Sequence, residues 1–169
     1  MVIIETERLK LLEFEKTDAS FILELVNEPA WIEFIGEKNV HTISDAENFI
    51  INNLKPSYVN NGYGLYAIKL KKDNTSIGMC GLVNRPGLKE IDLGFACLSK
   101  YQRQGFAYES SVATLNYAKE VLKIGKVVAI TSPKNKASGK LLEKLGLNFE
   151  KLINLDEDGK DICKLYVPN

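Results

Sequence analysis

In residues 107–122 apolar side chains recur at steps of three and four, at Tyr108, Val112, Leu115, Ala118 and Leu122. That spacing predicts a helix with one apolar face, ended by Gly125. Ser138, Leu141, Leu142 and Leu145 repeat the spacing and predict a second helix over residues 135–145, with Gly146 as terminator. Nearer the start, Thr17-Asp18 opens a helix over residues 19–26, and Asn27-Glu28-Pro29 closes it. Another helix begins at Ser44, whose hydroxyl and the carboxylate of Glu47 form a capping box ahead of Phe49, Ile50 and Leu54. Runs rich in β-branched and aliphatic residues, bounded by turn residues, predict strands at 8–12, 65–70, 76–82, 91–98, 127–130, 149–155 and 162–167. The three central ones form an antiparallel meander, Asp158-Gly159 turns the last two into a hairpin, and residues 55–64 read as a loop. The order is β-α-α-β-β-β-α-β-α-β-β, an α+β pattern.

Length fits one domain spanning residues 1–169, with enough chain to bury a core without staples. A formal charge of zero gives no electrostatic reason for a nucleic-acid partner. The basic clusters at 69–72 and 134–140 read as solvated faces, the second also placed to meet phosphates. Three scattered cysteines, Cys80, Cys97 and Cys163, lack metal-ligand spacing and form no disulfide framework. With no signal peptide and no apolar run of spanning length, the expectation is a cytoplasmic protein with no metal and no membrane partner.

The chemistry points to the passage from the strand ending at Leu98 to the helix beginning near Tyr108: Ser99-Lys100-Tyr101-Gln102-Arg103-Gln104-Gly105-Phe106. The first N–H groups of a helix lack internal partners and carry the positive end of its dipole, so a loop of this kind holds an anion. Gly105 stands where bound phosphate would approach the backbone, and Arg103 and Gln104 offer further donors. The loop has too few glycines for a dinucleotide fingerprint and lacks the Gly-Lys-Ser/Thr end of a triphosphate loop.

Gln102-x-x-Gly105-x-Ala107 resembles the pyrophosphate motif of the GCN5-related N-acetyltransferase superfamily. Ile91-Asp92-Leu93-Gly94-Phe95, Thr6-Glu7-Arg8-Leu9 and Asn27-Glu28-Pro29 look like the branch that acetylates N-termini of ribosomal proteins. The resemblance runs over nearly the whole chain. It implies the GNAT fold: a mixed, mostly antiparallel central sheet flanked by helices, with a splayed strand pair at the CoA site. It also implies acetyl-CoA as cosubstrate and transfer to a primary amine, on a small molecule or a protein N-terminus, by direct attack in a ternary complex.

On that resemblance the cofactor is held by Phe95, Cys97 and Leu98 through backbone groups, by Gln102, Arg103, Gln104, Gly105, Phe106, Ala107 and Tyr108 in the loop, and by Asn135 and Ser138. An amide near Leu98 polarises the thioester carbonyl. Asp92, on the same strand face as Glu90, is the leading general base, acting directly or through water. The tyrosine that many relatives use to protonate the departing thiolate is replaced by Leu142, which leaves Ser138 as the candidate acid. Cys97 raises an acyl-cysteine alternative, although the sole histidine, His41, lies far upstream. Glu109 reads as structural, and Trp31, Phe34, Tyr58, Tyr63 and Tyr66 are candidates for an acceptor pocket. The missing tyrosine also motivates an alternative, a CoA-binding sensor without turnover.

Overall fold

The computed structural model describes residues 1–156 and 158–169. Its strands are β1 Val2–Glu5, β2 Leu9–Leu12, β3 Leu65–Leu70, β4 Ser76–Val83, β5 Ile91–Cys97, β6 Val127–Thr131, β7 Leu147–Asn154 and β8 Ile162–Pro168. The helices are α1 Ala19–Val26, α2 Pro29–Phe34, α3 Ile43–Phe49, α4 Lys55–Asn61, α5 Phe106–Glu120 and α6 Lys136–Lys144. The strands form one sheet in the order β1-β2-β3-β4-β5-β6-β8-β7, antiparallel throughout except where β5 and β6 run parallel.

Alternation along the strands divides the core between the two faces of the sheet. Tyr66 and Ile68 of β3 point to the side of Phe106 and Ala118 on α5, while Ala67 between them joins Ile22, Leu25, Ala46 and Ile50 from the helices of the other side. The meander and both later helices agree with the sequence reading. The β7–β8 pairing is antiparallel as expected, and in the expected turn at Asp158-Gly159 the glycine is left-handed, φ 72°.

Four elements depart from expectation. β1 is a four-residue edge strand with an irregular register between Val2 and Ile4, too short for a periodic signal. Pro29 does more than close α1: it occupies the first turn of α2, where a missing N–H costs nothing. The capping box belongs to Thr42 and Asp45, not to Ser44 and Glu47: Asp45 N donates to Thr42 Oγ1 at 3.0 Å and Thr42 N to Asp45 Oδ2 at 3.2 Å. Residues 55–61 are helical rather than looped, continuing α3 through a π-type turn at Ile50–Leu54 in which Lys55 N donates to Ile50 O. Pro56, without an N–H of its own, sits directly after that widened turn.

The buried face of α5 also differs from the predicted stripe. Ser110, Ser111 and Thr114 are fully buried beside Ala118, whereas Tyr108, Val112 and Leu115 are half-buried. The Ser110 and Thr114 hydroxyls donate to the carbonyls of Phe106 and Ser110 at 2.9 and 2.8 Å, which makes them tolerable in a core. The end of α5 is set by Lys123 in the left-handed region, φ 58°, with Ile124 N donating to Ala118 O at 2.9 Å, and not by Gly125.

Candidate active site

Parallel pairing of β5 with β6 is confined to Ile91↔Val127 and Asp92↔Val128. Beyond Asp92 the strands part, because β6 turns to β8 from Ala129 onward while β5 stays paired with β4 as far as Cys97. The edge of β5 from Leu93 to Cys97 therefore faces the gap without a strand partner. An unpaired strand edge is a row of donors and acceptors ready for an extended ligand.

The gap opens into a cleft of about 430 Å³, lined by α2, by the start of α5 and by one face of α6 from Ala137 to Lys144. Of the residues expected there, Phe95, Cys97, Gln102, Arg103, Gly105, Phe106, Ala107, Tyr108, Asn135 and Ser138 line it. Trp31 and Phe34 do too, while Tyr58, Tyr63 and Tyr66 pack away from it in the core beside the sheet.

The N-terminus of α5 enters the cleft without a side-chain cap. α3 and α6 differ: Thr42 caps the first, and Asn135 Oδ1 accepts Ser138 N at 3.2 Å in the second. Gly105 adopts φ +83°, and a Cβ there would lie 3.2 Å from Arg8 Nη2. The glycine is thus favoured by its own backbone, and a side chain there would also make the neighbouring guanidinium shift, before any ligand is considered. Arg103 is left-handed as well, φ 62°.

Gln102 and Gln104 turn their side chains back onto the loop, donating to Cys97 O at 3.3 Å and Lys100 O at 3.1 Å. Leu98 does not line the cleft: it is 2% exposed, and its N–H donates to Ile77 O at 2.9 Å. Its amide therefore has a partner already.

Asp92 lies at the apex where β5 and β6 separate, 1% exposed, with Arg85 Nε donating to its Oδ2 at 2.8 Å. Burial pushes its carboxyl above the usual range, opposed by Arg85. It is not part of the cleft wall, and Glu90 pairs separately with Lys126 at 3.6 Å. The Cys97 thiol is pushed up to about 12, first by burial and then by Cys80, so it is neutral and weakly nucleophilic near pH 7. Leu142 is a core residue at 1% exposure.

Sequence reasoning missed a clasp between α2 and the loop. Glu28 accepts Ser99 N through Oε1 and Ser99 Oγ through Oε2, both at 2.8 Å. Seventy-one residues separate the two, and no local signal joins them. It also missed the setting of Arg8, whose guanidinium lies 4.4 Å over the Phe106 ring, and of Lys144, 4.2 Å over that of Tyr108. Among the described residues there is no cluster of three metal-ligating side chains, and no helix is long and apolar enough to cross a membrane.

A mostly antiparallel sheet that splays at one parallel pair, with an uncapped helix N-terminus beside the opening, is the architecture of the acetyltransferases. Residues 8–148 match the acetyltransferase (GNAT) domain, and the chain belongs to that family of acetyl-CoA-dependent enzymes. It is 27% identical over 165 residues to the uncharacterized N-acetyltransferase p20 of Bacillus licheniformis, covering 95% of this chain and 90% of the relative. The fold is shared with an Agrobacterium tumefaciens acetyltransferase, TM-score 0.82 at 22% identity over 98% of this chain and 93% of the other. It is shared too with a ribosomal-protein-S5-alanine acetyltransferase from Vibrio fischeri, TM-score 0.80 at 18% identity, with 99% and 96% covered.

Proposed function

We propose that this enzyme acetylates a primary amine carried by a protein N-terminus, in the cytoplasm, with donor and acceptor bound together. The observation that carries the reading is the meeting of two unsatisfied backbone features in one cleft: the unpaired edge of β5 and the uncapped N-terminus of α5. The first suits the amides of a pantetheine arm, the second a pyrophosphate. When bound, acetyl-CoA supplies an activated thioester.

The acceptor assignment follows from charge and from likeness. Glu28 is the one carboxylate in the cleft wall among the described residues, and both its oxygens hold Ser99. A polyamine wants several free carboxylates, whereas a single α-amine on a peptide needs none once neutral. The name of the Vibrio fischeri protein supplies the analogy to an N-terminal acceptor.

Each residue then has a defined task. The β5 edge orients the carbonyl, since Leu98 N–H is engaged elsewhere. Ser138 holds a hydroxyl proton in the cleft wall for return to the departing sulfur. Asp92, buried against Arg85 outside the cleft wall, takes the amine's proton only by relay through water. Cys97, held neutral, packs rather than attacks.

The test is thiol release from acetyl-CoA with a panel of amines: peptides with free and blocked N-termini, spermidine and an aminoglycoside. Release is expected with the free peptides alone. Release with spermidine alone removes the acceptor assignment, and binding without release across the panel removes the transfer reading.

A further inference from the structure

The corner between β1 and β2 reaches across the sheet edge to the anion-binding loop. Glu109, in the first turn of α5, receives Thr6 Oγ1 at 2.7 Å and Arg8 N at 3.0 Å on Oε1, and Arg8 Nε at 2.7 Å on Oε2. Arg8 Nη1 donates to Gln104 O at 3.1 Å, and its guanidinium covers the ring of Phe106. One side chain thus touches the residues on both sides of Gly105 and the first acidic residue of α5. Burial works against the charge of Glu109, yet the hydrogen bonds from Thr6 and Arg8 outweigh it and hold the carboxyl below its usual range.

Such a carboxylate is anomalous beside a phosphate site. It favours the helix dipole but repels the same anion that the helix N-terminus attracts. Held by Arg8 Nε on one oxygen and by Arg8 N and the Thr6 hydroxyl on the other, its charge is compensated and directed to the sheet edge instead of the cleft. We infer that Arg8 is a positioning residue for the donor's pyrophosphate: its fork fixes the loop around Gly105 and neutralises Glu109, so that the N-terminus of α5 meets phosphate with its full attraction. The inference rests on the assignment of the cleft to acetyl-CoA.

The experiment is calorimetric titration of acetyl-CoA, with S-acetyl-pantetheine as a donor lacking the pyrophosphate, into the unaltered protein, R8A, and R8A/E109Q. For R8A the acetyl-CoA Kd is expected to rise about tenfold, the response to S-acetyl-pantetheine to stay unchanged, and kcat at saturating acetyl-CoA to hold. In R8A/E109Q the Kd is expected to return to within about threefold of the starting value, because the freed carboxylate is the group that repels. A merely structural Arg8 gives a different result, since removing a second partner from a disordered corner restores nothing. Equal affinity of R8A and the unaltered protein, or a double variant no better than R8A, overturns the inference alone. Failure of the unaltered protein to bind acetyl-CoA overturns it together with the donor assignment.

Discussion

Gly105 and Asp92 each carry a separate part of the proposed chemistry, and each is open to test by a single substitution. At φ +83° with Arg8 Nη2 waiting 3.2 Å from any Cβ, Gly105 tolerates no side chain without strain. Gly105→Ala is expected to cost about 1–2 kcal/mol in urea unfolding. It should also weaken acetyl-CoA binding by shifting the loop, and an unchanged Kd would contradict the placement of the pyrophosphate. Asp92 presents the opposite problem, a carboxylate at 1% exposure that keeps an ion pair with Arg85. A base works deprotonated, and burial raises this carboxyl, so the rate should fall with decreasing pH along a limb above the usual carboxylate range. Asp92→Asn is expected to lower kcat roughly 10²-fold, flatten that limb and leave the acetyl-CoA Kd alone. Undiminished turnover near neutrality would remove Asp92 from the proton path.

Among the elements, the helices carry most of the differences between pattern and structure. Thr42, not Ser44, closes the N-terminus of α3. Thr42→Ala should therefore cost about 1 kcal/mol, while Ser44→Ala should stay within about 0.5 kcal/mol. Thermal melts of the two variants decide it, and equal losses would restore Ser44 as cap. Both residues fit the motif by type, and a shift of two positions separates them, which spacing alone does not resolve. The same limit explains α4: Pro56 argues for a loop unless a π-type turn ahead of it absorbs the missing N–H, and only the backbone shows that turn. On α5 the hydrophobic stripe misled because hydroxyls bonded to their own helix are buried as readily as methyls. The loop from Gln102 to Ala107 was legible, being local and bounded by a strand and a helix. Glu28–Ser99 and Arg8–Glu109 were not, since each joins segments far apart in sequence and visible only after the sheet has formed.

At the scale of the whole molecule, the splay is a deliberate gap in an otherwise continuous sheet. Eight strands keep their neighbours, yet β5 and β6 hold together at two residue pairs only, and the core cluster on the α5 face joins the two halves across the opening through Leu93, Val127, Ala129 and Tyr166. A ligand that lies along β5 replaces the missing strand, so binding should behave as local completion of the fold. Acetyl-CoA at a hundredfold excess over Kd contributes about 2.7 kcal/mol by mass action, which for a chain of this size raises Tm by about 5–10 °C. The gain should be visible amide by amide. In hydrogen exchange, the gap-facing amides of residues 93–97 and those of residues 106–108 at the start of α5 are expected to slow on addition of acetyl-CoA. The amides of β2 and β3, already paired on both edges, are expected to slow less, gaining only through the shift in global unfolding. Slowing spread evenly over the sheet would mean that the ligand stabilises the fold as a whole, and no slowing at 93–97 would mean that the edge of β5 is not where the donor lies.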